Sequence, residues 1–188
     1  MTRKEYLIKS LKYSLCTGTL LYAGCGLKAA PAPTQELDEL SRLKMEKEFV
    51  QNWLSDLLDS MDRELDEATV VRLIEGCGRA CFQRFQFKRD LAEKGRGDID
   101  KLIEAYKANF EIWREGDDVH IRYGEVSDRC YCPAANYRPA RPGDKHCECT
   151  RSTHQAIFET ALGRPFKSGI VESLRRGGKT CHFVIHLA

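Results

Sequence analysis

Two close cysteine pairs, Cys130-Tyr131-Cys132 and Cys147-Glu148-Cys149, stand fourteen residues apart, and they restrict this chain more than any other feature. In an extended segment residues i and i+2 point the same way, so each pair offers two sulfurs to one centre. A tetrahedral thiolate site needs four sulfurs, which two close pairs joined through one closable loop can supply. The loop contains Pro133, Pro139, Pro142 and Gly143, residues that set turns rather than extend a helix or a strand. Arg129, Arg138, Arg141, Lys145 and Arg151 outnumber Asp144 and Glu148 here, which favours ionised sulfur and would offset the charge of a metal thiolate cluster. The expected metal ligands are therefore Cys130, Cys132, Cys147 and Cys149. Zinc and an iron–sulfur centre both accept four thiolates, and His146 is a substitute ligand that would favour zinc. Two disulfides across the loop, natural in an exported protein, are the alternative, with free structural thiols a third.

The N-terminus points toward export. Arg3, Lys4, Lys9 and Lys12 precede an apolar stretch from Tyr13 to Leu27, followed by Lys28 and the Ala/Pro run 29–33. The stretch is shorter than the roughly 20 apolar residues a bilayer span needs, so a signal segment fits better than a permanent span. Thr2-Arg3-Lys4-Glu5-Tyr6-Leu7 resembles a twin-arginine motif with lysine in the second position. Leu21-Tyr22-Ala23-Gly24-Cys25 resembles a bacterial lipobox, in which Cys25 would carry the lipid. The expected organisation is a signal or membrane-tethering segment over 1–33 and a cysteine-rich domain over 34–188. An uncleaved apolar helix on a cytoplasmic protein is the alternative.

With 188 residues, 42% of them hydrophobic, the chain can bury one substantial core. Its formal charge of +2 comes from mixed signs with no basic, aromatic-rich face, which argues against a nucleic-acid binder.

Apolar positions Leu37, Leu40, Leu43, Val50, Trp53, Leu54, Leu57, Leu58, Met61 and Leu65 predict a long core-packing helix capped by Thr34. Asp66 caps a second helix with Val70, Ile74, Cys77, Cys81 and Phe85 on one stripe; Gly78 between its cysteines marks a close neighbour. A short helix follows from Asp98, with Ile99, Leu102, Ile103 and Tyr106 inward. Residues 110–114 and 119–123 read as a hairpin with its turn at 115–118. After the cysteine-rich loop, Thr150 or Ser152 caps a helix that Gly163 ends. A second hairpin pairs 166–174 with 180–187. The fold expected is α+β: N-terminal helices, then an antiparallel sheet of about four strands from two hairpins separated by the loop and a helix.

The ending Gly169-Ile170-Val171-Glu172-Ser173, then Gly177-Gly178-Lys179-Thr180-Cys181-His182-Phe183-Val184-Ile185, resembles that of the 4-vinyl reductase domain family. The resemblance implies an α+β ligand-binding fold shared with Golgi-transport subunits, and small-molecule sensing with zinc held near the last hairpin. It matches Cys181 to the family's final cysteine and Glu172 to its strand glutamate. Residues 173–180 carry no further cysteine, so Cys147 or Cys149 would supply the missing sulfur. Cys77-Gly78-Arg79-Ala80-Cys81, the paired cysteines and this ending also look like bacterial proteins labelled L-2-amino-thiazoline-4-carboxylic acid hydrolases, which implies opening of a sulfur–nitrogen ring. A possible additional site thus comprises Cys77, Cys81, Glu172 and Cys181.

The function these features suggest is an exported or membrane-tethered metal domain that binds a small molecule between sheet and helices, with Trp113, Tyr123, Phe158 and Phe183 as possible lining. Hydrolysis with His146, His154 or His182 as proton carriers, and thiol/disulfide redox chemistry, are the competing functions.

Overall fold

The computed structural model describes residues 38–132 and 137–188. The proposed signal segment, its Cys25, the 29–33 linker and the expected cap Thr34 lie outside them.

The first helix, α1 (Glu39–Glu64), starts where the Asp38 carboxylate accepts the Ser41 N–H at 3.0 Å. Asp66 caps α2 (Glu67–Arg84) in the same way through the Thr69 N–H, which satisfies one orphan donor of the first turn. Two short helices follow, α3 (Gln86–Lys94) and α4 (Ile99–Tyr106), the latter capped by Asp98 as its sequence predicts. Helix α3 escapes the periodicity argument because Ala92 alone is fully buried on it. Strands β1 (Glu111–Glu115) and β2 (Asp118–Arg122) form the first hairpin, tighter than expected, with Glu115 paired to Asp118. Helix α5 (Glu148–Leu162) begins earlier than Thr150 and ends at Gly163, whose φ of 70° suits a residue without Cβ. Strand β3 (Lys167–Glu172), a 3₁₀ turn (Leu174–Arg176) and β4 (His182–His186) complete the chain.

The fold is α+β, with helices first and one antiparallel four-stranded sheet in the order β1-β2-β4-β3. Alternation along β2 and β4 puts Val119, Ile121, Phe183 and Ile185 on the inner face, where all four are fully buried. Val119, Ile121 and Ile185 meet Leu102 and Tyr106 of α4 and Phe158 of α5 in the main core, and Phe183 packs against Tyr123 and His154. Each such side chain contributes about 1.5–3 kcal/mol by leaving water.

Two helical stripes differ from expectation. On α1 the apolar positions Leu40, Leu43, Val50 and Trp53 are solvent-exposed, and burial is confined to Gln51, Ser55 and Leu58. A helical period defines a face but supplies no neighbour to cover it. On α2 the buried stripe is Val70, Ile74, Gly78 and Phe82, while Cys77 and Phe85 face solvent. Steps of three and of four residues both describe a helix face, and the glycine decides between them. A Cβ on Gly78 would lie 2.1 Å from the Cys149 carbonyl oxygen and 2.1 Å from Ser152 Oγ, so α5 passes where only hydrogen fits. Ser152 Oγ donates to the Glu75 carbonyl and Thr153 Oγ1 to the Gly78 carbonyl, each at 3.0 Å, fastening α5 to α2.

The cysteine-rich loop is held by buried charge. Arg138 donates to Asp59 at 2.9 Å and to Asp62 at 2.7 Å on α1; Arg175 donates to Asp144 at 2.7 Å. Arg138, Asp144 and Arg175 are all nearly inaccessible to solvent. These cations are engaged with carboxylates, as are Arg141 with Asp62, Lys145 with Glu67 and Arg151 with Glu75. They therefore hold the loop in place, and their pull on the thiols is weaker than the effect of burial.

Gly78→Ala should force the two helices apart and destabilise the domain by about 1–3 kcal/mol or more, measurable as a lower urea midpoint. Gly76→Ala is the control, because a Cβ there meets nothing within 4 Å.

Candidate functional site

A cavity of about 730 Å³ opens where α2, α3, α5, the cysteine-rich loop and strand β4 converge. Six of the seven described cysteines line it: Cys81, Cys130, Cys132, Cys147, Cys149 and Cys181. Cys77 faces solvent on α2, and none of the seven is in a disulfide. Glu172 is not part of the lining; its carboxylate instead accepts the Lys179 N–H at 2.6 Å and closes the turn before β4.

The two close pairs do not act as pairs. Cys147 is the N-cap of α5 and Cys149 lies in its first turn, so the expected extended geometry is replaced by helix. Positions i and i+2 on a helix diverge by about 200°. Cys147 accordingly meets Cys181, at the head of β4, while Cys149 faces α2 and packs beside Leu58, Val70 and Ile74. Cys132 packs in that same small cluster and touches His146 Nε2. Cys130 lies within electrostatic reach of Cys147. Among the described residues no three histidine, cysteine or carboxylate donors already stand at metal-ligand spacing.

The thiols are more basic than the sequence implies. The hydrogen bond to Cys181, followed by burial, pushes the Cys147 thiol well up. The same hydrogen bond holds Cys181 below the ordinary thiol range against the cost of burial. The two sulfurs thus divide their roles, with Cys147 donating and Cys181 favoured as thiolate. Burial raises Cys130, and burial with the nearby Cys81 and Cys77 pushes Cys149 up to about 11. Among the described residues Ser173 Oγ is a buried side-chain oxygen with no oxygen or nitrogen partner, and it faces the Cys147 sulfur, where it favours the thiolate. On α2, Lys88 Nζ donates to Cys81 Sγ at 2.9 Å.

His146 and His154 both line the cavity as neutral rings. Burial lowers His146 to about 4. Its Nδ1 faces Arg138 Nη1 at 3.4 Å, and since arginine only donates, the ring proton belongs on Nε2, directed at Cys132. In this state His146 is a donor to sulfur, not a vacant ligand nitrogen.

His154 occupies a different arrangement, one the sequence does not disclose. Its Nδ1 lies 3.2 Å from Tyr106 Oη and its Nε2 lies 3.0 Å from Tyr123 Oη. Burial, with a smaller effect of the Lys88 charge, lowers it to about 3. A neutral imidazole has one N–H and one acceptor nitrogen. Tyr106 is fully buried and His154 is its hydrogen-bond partner, so a tautomer that donates to Tyr106 would strand the Tyr106 proton at a cost of about 1–3 kcal/mol. The favoured chain runs Tyr106 O–H to Nδ1, then Nε2–H to Tyr123 Oη. The Tyr123 hydroxyl hydrogen is then surplus. Among the residues expected to line a ligand site, Tyr123 does so; Phe158 and Phe183 are core, and Trp113 stacks on His120 at 5.0 Å.

Because His154 stays neutral in the fold and charges at about 6.5 when unfolded, the unfolded state binds the extra proton below that pH. Stability contributed by the neutral ring is complete above pH 6.5 and falls as pH drops toward about 3. His146 adds to the fall down to about 4. Urea denaturation between these limits should show a loss of up to about 1.4 kcal/mol per pH unit for each histidine, and His154→Gln should flatten the dependence.

No family model and no curated protein matches the sequence. Among solved structures, the chain is similar to a trafficking protein particle complex subunit 3 from Naegleria fowleri, covalently bound to palmitic acid in that structure. The TM-score is 0.52 at 13% identity, over 77% of this chain and 96% of that one. At this identity the likeness is one of fold alone.

Proposed function

We propose that this chain is a small-molecule-binding domain whose ligand occupies the thiol-lined cavity beside a soft metal centre, zinc or iron–sulfur. The observation that carries the proposal is the gathering of Cys130, Cys147 and Cys181 on one wall with the buried Ser173 hydroxyl aimed at the Cys147 sulfur. That hydroxyl donates more strongly to a thiolate than to a thiol, so it favours the state a metal ligand must reach. Cys130, Cys147 and Cys181 would hold the metal, with Cys132 and Cys149 as the remaining sulfurs of the expected array. A thiolate-bound metal would supply a fixed positive centre facing the ligand. The basic thiols imply that metal uptake releases protons and grows stronger as pH rises. The N-terminal basic and apolar pattern ending at Cys25 supports export with a membrane tether.

A second function, dithiol redox chemistry, is favoured by the direct contact between the Cys147 and Cys181 sulfurs. The hydrolase alternative rests on sequence resemblance alone.

Metal analysis and a visible spectrum of anaerobically purified protein test the proposal. Stoichiometric metal is expected, with Cys147→Ser and Cys181→Ser each losing it and melting at lower temperature, and Cys77→Ser unchanged. Ser173→Ala should retain the fold but release metal faster to a chelator. Metal-free protein whose mass falls by two hydrogens on oxidation, through Cys147 and Cys181, would replace the metal centre with the redox function.

A further inference from the structure

Tyr123 and the two lysines of α3 give the cavity lining two unlike polar groups. The Tyr106–His154–Tyr123 chain leaves the Tyr123 hydroxyl hydrogen without an acceptor among the described residues. Burial, followed by the nearby sulfurs of Cys181, Cys147 and Cys130, keeps the phenol protonated. A donor in such a place recognises an acceptor on the ligand. In so buried a place the oxygen of a neutral carbonyl accepts a hydrogen bond without the cost of taking a charge out of water.

The lining also carries Lys88 and Lys94 against Asp90. Lys88 is held in place: its ammonium donates to Cys81 Sγ and lies 5.6 Å and 5.7 Å from the ring centroids of Phe85 and Phe87. One of its three N–H donors is used on sulfur, which leaves others for a carboxylate. Leu91, Phe110 and Ile157 add apolar surface to the lining. The cavity volume is that of a small-molecule site.

We propose that the ligand is a small oxo acid: its carbonyl oxygen accepts from the Tyr123 hydroxyl, its apolar body lies along Phe110 and Ile157, and its carboxylate meets Lys88. This rests on the cavity being a ligand site but not on the metal. Tyr106, which does not line the cavity, is a positioning residue, because its O–H selects the His154 tautomer that frees the Tyr123 hydrogen.

Three probes test the inference: 4-acetylbenzoate, 4-oxopentanoate and 6-oxoheptanoate, each titrated calorimetrically and followed by the infrared stretch of its ketone. At least one should bind, with the ketone band moved to lower frequency. Tyr123→Phe should abolish that move and weaken binding roughly tenfold, the worth of one net hydrogen bond. Lys88→Gln should weaken binding and leave the band shifted, and Tyr106→Phe should diminish the shift without touching the probe. Acetophenone, which lacks the carboxylate, should bind more weakly than 4-acetylbenzoate. If none of the three probes binds the wild type, or the bound ketone band is unshifted there, the inference is overturned even if Tyr123→Phe fails to fold. An equal shift in folded Tyr123→Phe overturns it as well. Repeating the titrations after chelation separates the two proposals: metal with no probe binding removes the oxo-acid site alone, and Tyr123-dependent binding without metal removes the metal centre alone.

Discussion

The close passage of α5 over Gly78 is the contact on which the site depends. Helix packing normally separates backbones by a layer of side chains, with axes some 8–10 Å apart. Here the Cys149 carbonyl and Ser152 hydroxyl occupy the space a Cβ would need. The Ser152 and Thr153 hydroxyls then turn what would be an apolar seam into directed hydrogen bonds to the Glu75 and Gly78 carbonyls. This sets α5 in both height and rotation. Cys149 is thereby brought toward Cys81, Cys147 is carried to the opposite side beside Cys181, and His154 is inserted between Tyr106 and Tyr123.

Buried electrostatics explain why so basic a loop holds such basic thiols. A carboxylate partner offsets much of what a cation does to a nearby thiol. Arg138 and Arg175 are committed to Asp59, Asp62 and Asp144, carboxylates that lie near or within the loop. Burial puts the Asp144 carboxylate at a disadvantage, but the His146 N–H, Arg175 and Arg138 outweigh it and keep the group below its usual range. Burial and the neighbouring thiols therefore outweigh the pull of Arg175 on Cys130 and of Lys88 on Cys149. The exception is Cys181, whose thiolate is favoured by the hydrogen bond from Cys147. A cavity with neutral histidines, neutral phenols and one preferred thiolate is better suited to binding a soft or weakly polar group than to storing charge.

Much of the architecture is legible in the residues themselves. The Asp66 and Asp98 caps, the Gly163 terminus and the alternation of Phe183 and Ile185 follow from local rules about orphan N–H groups, left-handed backbone and strand period. Those rules suffice for an α+β order of helices, hairpin, loop, helix and final strands. The exposed stripe of α1 shows their limit, since Leu43, Val50 and Trp53 have a helical period and no partner among the described residues that covers them.

The sequence by itself determined which elements form and that sulfur is concentrated in the second half of the chain, because capping, periodicity and composition act over a few residues. Tertiary structure decided which sulfurs meet. Cys147 and Cys149 are neighbours in sequence and part company on a helix, whereas Cys147 and Cys181, thirty-four positions apart, meet through a hydrogen bond. The Tyr106–His154–Tyr123 chain joins α4, α5 and the residue after β2 through hydrogen bonds that carry no sequence spacing of their own. Which nitrogen holds a proton, and which hydroxyl is left to greet a ligand, depends on burial and on partners from distant segments, and these exist only once the chain has packed.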